Sequence, residues 1–199
     1  RLVANLNAAG YKVEDIDTVI LSHFHGDHIL GVRNKAGQLV YPNAKIMVPS
    51  VEHAFWMDDA RMAAAPDAMK GAFQTVRRML GGLNDSQMVK FEAGTEIVPG
   101  IKSVAAYGHT PGHTLFMVES KGEKFAYVAD ITNVPQLFAR NPDWAVQFDM
   151  NAEEARVARR KVFDMIVNDK VMAGGFHFPF PAFGRVEKLG NGFEFKPVA

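Results

Sequence analysis

The 199-residue chain contains no cysteine. Disulfides are therefore excluded as a source of stability, and so are thiolate metal ligands and cysteine nucleophiles. The absence leaves the compartment open. No apolar run approaches the roughly 20 residues that span a bilayer, so no membrane partner is expected. Net charge is missing too: 22 basic residues balance 22 acidic ones, with no basic block. Such a surface does not gather a polyanion, and nucleic acid is disfavoured as substrate or partner. There is no internal repeat, low-complexity tract or linker, and 48% apolar with 22% charged residues suits a soluble globular protein. One domain over residues 1–199 is expected. The chain opens on Arg1 rather than methionine, and residues 2–9 read as the end of a helix closed by Gly10. A processed or truncated N-terminus is the expectation.

What is present is concentrated in one hexapeptide, His23-Phe24-His25-Gly26-Asp27-His28. It follows the apolar run Thr18-Val19-Ile20-Leu21, which predicts a buried strand over 18–22 carrying the cluster to its C-terminal edge. On an extended backbone side chains repeat with period two, so His23 and His25 point the same way and reach one ion. Gly26 lets the chain turn, and Asp27 and His28 then face a second position. Neutral imidazole and carboxylate are ligands for zinc and similar divalent ions.

Further elements follow from pattern. A strand is predicted at 45–48, a helix over 51–57, and a longer one over 66–80 with Met69, Phe73, Val76 and Leu80 on one face, ended by Gly81-Gly82. Short strands are predicted near 87–91, 95–98, 101–106, 115–119 and 124–129. Asn151 reads as an N-cap with Glu154 in capping-box register, before a helix bearing Ala155, Ala158, Val162, Met165 and Ile166 on one side. A strand near 171–173, a Phe/Pro-rich loop at 176–183 and a hairpin around Gly190-Asn191-Gly192 complete the chain. Helices between groups of strands predict a layered α/β domain.

Three more ligand candidates lie on this frame. Gly108-His109-Thr110-Pro111-Gly112-His113-Thr114 is a tight loop between two strands, with Pro111-Gly112 as its turn. Asp130 ends the apolar strand Phe125-Ala126-Tyr127-Val128-Ala129, where a buried carboxylate needs a partner. His177 follows Gly174-Gly175-Phe176. Singly, each reads as an ordinary hydrogen-bonding residue. Together His23, His25 and His113 form one set, Asp27, His28 and His177 another, and Asp130 is placed to bridge them.

The order HxHxDH, GHTPGHT, strand-end Asp and late His resembles the metallo-β-lactamase superfamily over almost the whole chain. The resemblance implies a four-layer αββα sandwich, with N-terminal strands of the first sheet missing or truncated here, because only 22 residues precede the cluster. It implies two divalent metal ions, zinc first, with manganese, cobalt or iron as alternatives. Asp130 and His25 favour lactonase- and glyoxalase-type hydrolases over true β-lactamases and flavodiiron oxidoreductases. The block Gly174–Pro181, Phe183-Gly184-Arg185 and Val146-Gln147-Phe148-Asp149 are similar to the methyl parathion hydrolase branch. The implied activity is hydrolysis of small neutral esters, lactones or phosphotriesters by a metal-bridging hydroxide, with Asp27 and Asp130 catalytic. A glyoxalase II-like thioesterase is the enzymatic alternative, and a catalytically silent metal- or partner-binding module the other.

His109 is read as a hydrogen-bonding neighbour of the ligand loop, and His53 as lying on an outer helix without a catalytic part. Trp56, Phe178 and Phe180 are the candidate substrate-binding residues, and Arg185 a candidate clamp. The resemblance further implies a small-molecule substrate, a homodimer, and a bacterial periplasmic or secreted protein rather than a cytoplasmic one.

Overall fold

A computed structural model describes residues 2–198. The backbone divides into two compact units, the first ending at Phe91 and the second beginning at Glu92.

The first unit starts with α1 (Leu2–Ala8), then β1 (Thr18–Ile20), α2 (Gly26–Ile29), β2 (Lys45–Pro49), α3 (Ser50–Trp56), α4 (Asp59–Ala64), α5 (Asp67–Leu80) and β3 (Met88–Phe91). Its sheet has the order β1-β2-β3 with both pairings parallel. Parallel neighbours need crossover connections, and α3 to α5 supply the one between β2 and β3. The middle strand is buried from Ile46 to Pro49, as a strand covered on both faces should be. Helix α5 turns Phe73, Val76 and Leu80 inward at helical spacing, while Met69 is only half-buried. Helices α2 and α4 lack an expectation from sequence, since four and six residues are too few for a periodicity to register. Asp58 nevertheless caps α4, its side chain accepting from the Arg61 N–H.

The second unit holds β4 (Glu96–Val98), β5 (Ile101–Ala105), β6 (Thr114–Ser120), β7 (Glu123–Tyr127), α6 (Pro135–Phe138), α7 (Ala152–Asn168), β8 (Met172–Gly174), β9 (Phe183–Leu189) and β10 (Gly192–Pro197). These seven strands form one sheet in the order β10-β9-β8-β7-β6-β5-β4. Only β7 and β8 pair in parallel, and α7 lies in the connection between them. The predicted hairpin is present, with Gly190 at φ +55° in its two-residue turn. Val162, Phe163 and Ile166 of α7 share a core with Leu115, Ala126, Val128 and Phe193.

The α7 cap differs from expectation in one detail. Asn151 does cap the helix through the Glu154 N–H. The Glu154 carboxylate, however, accepts from the Asn151 side-chain amide at 3.2 Å, not from its backbone. The backbone N–H of Asn151 is already donated to the Gly108 carbonyl at 2.9 Å, so the reciprocal half of the capping box has no donor left.

Candidate metal centre

In the first unit the ligand loop leaves the sheet directly. Strand β1 ends at Ile20, yet the Leu21 N–H still donates to Met47 at 2.9 Å, so the chain is held up to the doorstep of the cluster. His23 is fully buried, its Nδ1 3.0 Å from the Ser22 hydroxyl. Its ring stands edge-on to His25 at 5.0 Å between centroids and tilted against His28 at 4.1 Å. His25 occupies the N-cap position of α2, and the His28 N–H donates back to the His25 carbonyl at 3.0 Å. One helical turn thus returns His28 to the ring pair. Asp27 Oδ2 lies 3.5 Å from His28 Nε2. The backbone between His23 and His25 is clipped by Glu52, a fully buried carboxylate that accepts from the Phe24 N–H at 2.9 Å and the Trp56 indole N–H at 2.8 Å.

In the second unit two histidines converge on one carboxylate. After β7 the chain passes Ala129, a buried non-glycine residue at φ +47°, and this left-handed step precedes Asp130. Strain of that kind persists only where surroundings impose it. Asp130 Oδ2 lies 3.4 Å from His109 Nε2 and 3.2 Å from His177 Nε2. The other nitrogen of His109, Nδ1, is 2.9 Å from Asp149 Oδ1. Burial by itself lowers the basicity of His109, but hydrogen bonds and charge from Asp130 and Asp149 outweigh it and push the pKa up to about 9. Tyr127 is pushed up to about 12, first by burial and then by the Asp130 charge.

His113 stands differently. Its Nδ1 is 2.9 Å from the Ala106 carbonyl, which only accepts, so Nδ1 carries the hydrogen. Nε2 then accepts the Asp130 backbone N–H at 3.1 Å. The sequence reading made His113 the ligand and His109 its hydrogen-bonding neighbour. Both rings stand at Asp130: His113 Nε2 lies 3.1 Å from its backbone nitrogen and His109 Nε2 3.4 Å from its carboxylate.

Gly108 makes this placement possible. At φ +119°, a Cβ there would fall 2.1 Å from the Ala155 backbone nitrogen, so the loop lies directly on the start of α7. The Met150 N–H donates to His109 and the Asn151 N–H to Gly108, stitching the two segments together. We expect Gly108→Ala to destabilise the protein by about 3 kcal/mol or more, combining left-handed strain with overpacking against backbone. Urea unfolding measures this, and a loss below about 1 kcal/mol would show that the loop can lift without cost.

The candidate substrate residues scatter. Trp56 is 1% exposed and packs on Phe73 at 4.8 Å in the core of the first unit. Phe178 is buried against Phe195. Phe180 is 95% exposed. Phe176, which the reading passed over, is half-exposed with its ring edge-on to His177 at 4.9 Å. Arg185 is exposed on β9, and His53 is half-buried on α3.

Each unit therefore gathers imidazole nitrogens and carboxylate oxygens without thiolate, a donor chemistry that fits zinc and neighbouring divalent ions. An α/β fold with such donors after its strands defines a class. The sequence profile of the Metallo-beta-lactamase superfamily matches residues 1–170, and the chain belongs to that superfamily. Among its relatives is the anti-Pycsar protein Apyc1 of Paenibacillus sp. (strain J14), 28% identical over 141 residues, or 68% of this chain and 54% of that protein. An N-acyl homoserine lactonase of Bacillus cereus is 26% identical over 121 residues, 61% of this chain and 40% of that one. The chain thus spans about half the length of the curated relatives it matches. The structure is similar to that of the hydrolase AbOPH in the beta lactamase superfamily, with TM-score 0.91, 26% identity, and 99% of this chain and 69% of that one covered. It is also similar to AidC, a dizinc quorum-quenching lactonase solved with a product, with TM-score 0.87, 28% identity and coverages of 100% and 69%. The metallo-β-lactamase fold expected from the ligand pattern is the fold found.

Proposed function

We propose that this chain carries the metal-dependent hydrolase centre of a lactonase, acting on small neutral lactones and esters, with N-acyl homoserine lactones as the leading substrate class. The observation that supports this most is the Asp130 carboxylate flanked by His109 Nε2 and His177 Nε2, with His109 oriented from behind by Asp149. The lactonase relatives and AidC supply the substrate class.

In this reading His23, His25, Asp27, His28, His113, Asp130 and His177 would hold two divalent ions. When bound, such ions bring the pKa of water to about 7 and polarise the substrate carbonyl. Asp149 accepts from His109 Nδ1 and holds that ring beside the Asp130 carboxylate. The Ala106 carbonyl accepts from His113 Nδ1 and fixes that ring. Asp27, whose side chain is half-exposed, holds the proton for the departing alkoxide. Phe176 offers an apolar wall beside His177 for the acyl portion. The scissile carbonyl–oxygen bond breaks as water oxygen bonds to the carbonyl carbon, giving acid and alcohol with no acyl-enzyme. A single turnover in oxygen-18 water should put one label into the acid product. Label arriving first in the protein, with unlabelled acid, would refute direct attack.

Two ions per chain are expected by elemental analysis of zinc-reconstituted protein; one ion without turnover would favour a closed structural site, which needs only four ligands. Comparison of kcat/KM on N-hexanoyl homoserine lactone and on methyl paraoxon tests the substrate class. A clear preference for the lactone is expected. Preference for the phosphotriester would move the protein to the organophosphate hydrolases.

A further inference from the structure

The peptide between the first two histidines of the cluster is held from a distant helix. Leu21 is still bonded to the sheet, its N–H donating to Met47. Three residues on, beyond the end of β1, the Phe24 N–H turns instead to a side chain 28 residues away, Glu52 Oε1 on α3. Glu52 is itself fixed. Trp56, one helical turn further along α3, donates its indole N–H to the same oxygen at 2.8 Å. The Trp56 ring packs on Phe55 and Phe73 at 5.2 and 4.8 Å between centroids. Glu52, Trp56 and Phe24 are all buried.

We propose that Glu52 is a positioning residue for the metal centre: from α3 it fixes the peptide between His23 and His25, and with it the separation and angle of two ligand rings. The inference rests on the reading of His23 and His25 as metal-holding residues. On this extended stretch side chains alternate, so the two imidazoles share one side and Phe24 takes the other. The rings stand 5.0 Å apart at 82°. A swing of the intervening peptide changes both values, and the Phe24 N–H bond to Glu52 opposes that swing. Burying a carboxylate is costly, and an apolar side chain would fill the same volume at less expense. What the carboxylate adds is an acceptor for a backbone N–H beyond the strand, held at a set angle by the Trp56 indole. Trp56 therefore acts on the centre through Glu52 and not as a wall for substrate. Groups that hold ligating histidines from behind tune their affinity for metal without touching the ion.

The test uses the full chain reconstituted with zinc and separately with cobalt(II). Dissociation constants come from competition with a chelator, coordination geometry from the cobalt absorption bands, and fold integrity from the melting temperature of the metal-free protein. Glu52→Ala removes the acceptor, Glu52→Asp keeps the charge but shortens its reach, and Glu52→Gln keeps an oxygen at full reach. Phe73→Leu is the control, because it loosens the same core against Trp56 and leaves both bonds of Glu52 in place. All are compared with wild type well below every melting point. One zinc ion is expected to bind about 10- to 100-fold more weakly in Glu52→Ala and Glu52→Asp, with a changed cobalt spectrum. Glu52→Gln should restore the affinity to within about threefold of wild type, and Phe73→Leu should melt lower yet bind zinc as wild type does. If Glu52→Ala does not fold, Glu52→Asp and Glu52→Gln decide. Affinities of the Ala and Asp variants within about twofold of wild type, or an equal weakening in Phe73→Leu, would reduce Glu52 to a structural part. A Glu52→Gln affinity as poor as that of Glu52→Asp would mean that charge matters and the bond does not. Each of these results overturns the proposal and leaves the metal reading intact. Failure of wild type itself to bind zinc would overturn both.

Discussion

Asp130→Asn should lower kcat/KM on a lactone by about a thousand-fold or more and reduce the metal content from two ions towards one. Charge stabilisation by a catalytic metal is worth several kcal/mol, and each 1.36 kcal/mol is about tenfold in rate. The substitution is nearly isosteric, so the effect is chemical and not steric. An amide oxygen carries no formal charge, and the amide nitrogen would present hydrogens to His109 Nε2 or His177 Nε2, which now lie 3.4 and 3.2 Å from a carboxylate oxygen. The backbone N–H of Asp130 keeps its bond to His113, so the strand end should stay in place. Metal-free stability is accordingly expected to change little. Elemental analysis and steady-state kinetics on the same preparation are the measurements. Retention of activity within tenfold would remove Asp130 from the centre.

Glu52→Ala is expected to be the most damaging single change to stability outside the apolar core. Glu52 is fully buried, and one of its oxygens accepts both the Phe24 backbone N–H and the Trp56 indole N–H. Removing it strands two buried donors at about 1–3 kcal/mol each, so a loss of about 4 kcal/mol is expected, on the order of 10 °C in melting temperature for a chain of this size. Because Phe24 lies between His23 and His25, the damage should also appear as weaker metal binding. Glu52→Gln keeps an acceptor oxygen in the same place and should retain most of the stability. Thermal unfolding of the two variants side by side is decisive: equal losses would mean that Glu52 acts through its charge and not through these two bonds.

Much of this protein is legible without coordinates. The strands around 18–22, 45–48, 87–91 and 124–129, the helix over 66–80 and the Asn151 cap follow from apolar periodicity and local hydrogen-bonding chemistry, and all are present within a residue or two. The short helices α2, α4 and α6 were not legible, because one to two turns carry no periodic signal. Arg159 and Glu52 were hidden for another reason. A charged residue on a helix reads as solvent-facing until its partners are known, and those partners, Trp56 beside Glu52 apart, lie 10 to 28 residues away in sequence. The aromatic candidates show the same limit. Phe178 and Phe180 are two residues apart on one loop, yet one is buried and the other 95% exposed.

Sequence alone determined which chemistry this chain holds, because ligand type, strand-end placement and the HxHxDH spacing are local properties of the backbone that bears them. Tertiary structure alone decided how the two histidines of the GHTPGHT loop meet Asp130, His109 at its carboxylate and His113 at its backbone N–H. The partners that orient them come from distant segments: the Ala106 carbonyl accepts from His113 Nδ1, and Asp149, paired with Arg159, accepts from His109 Nδ1.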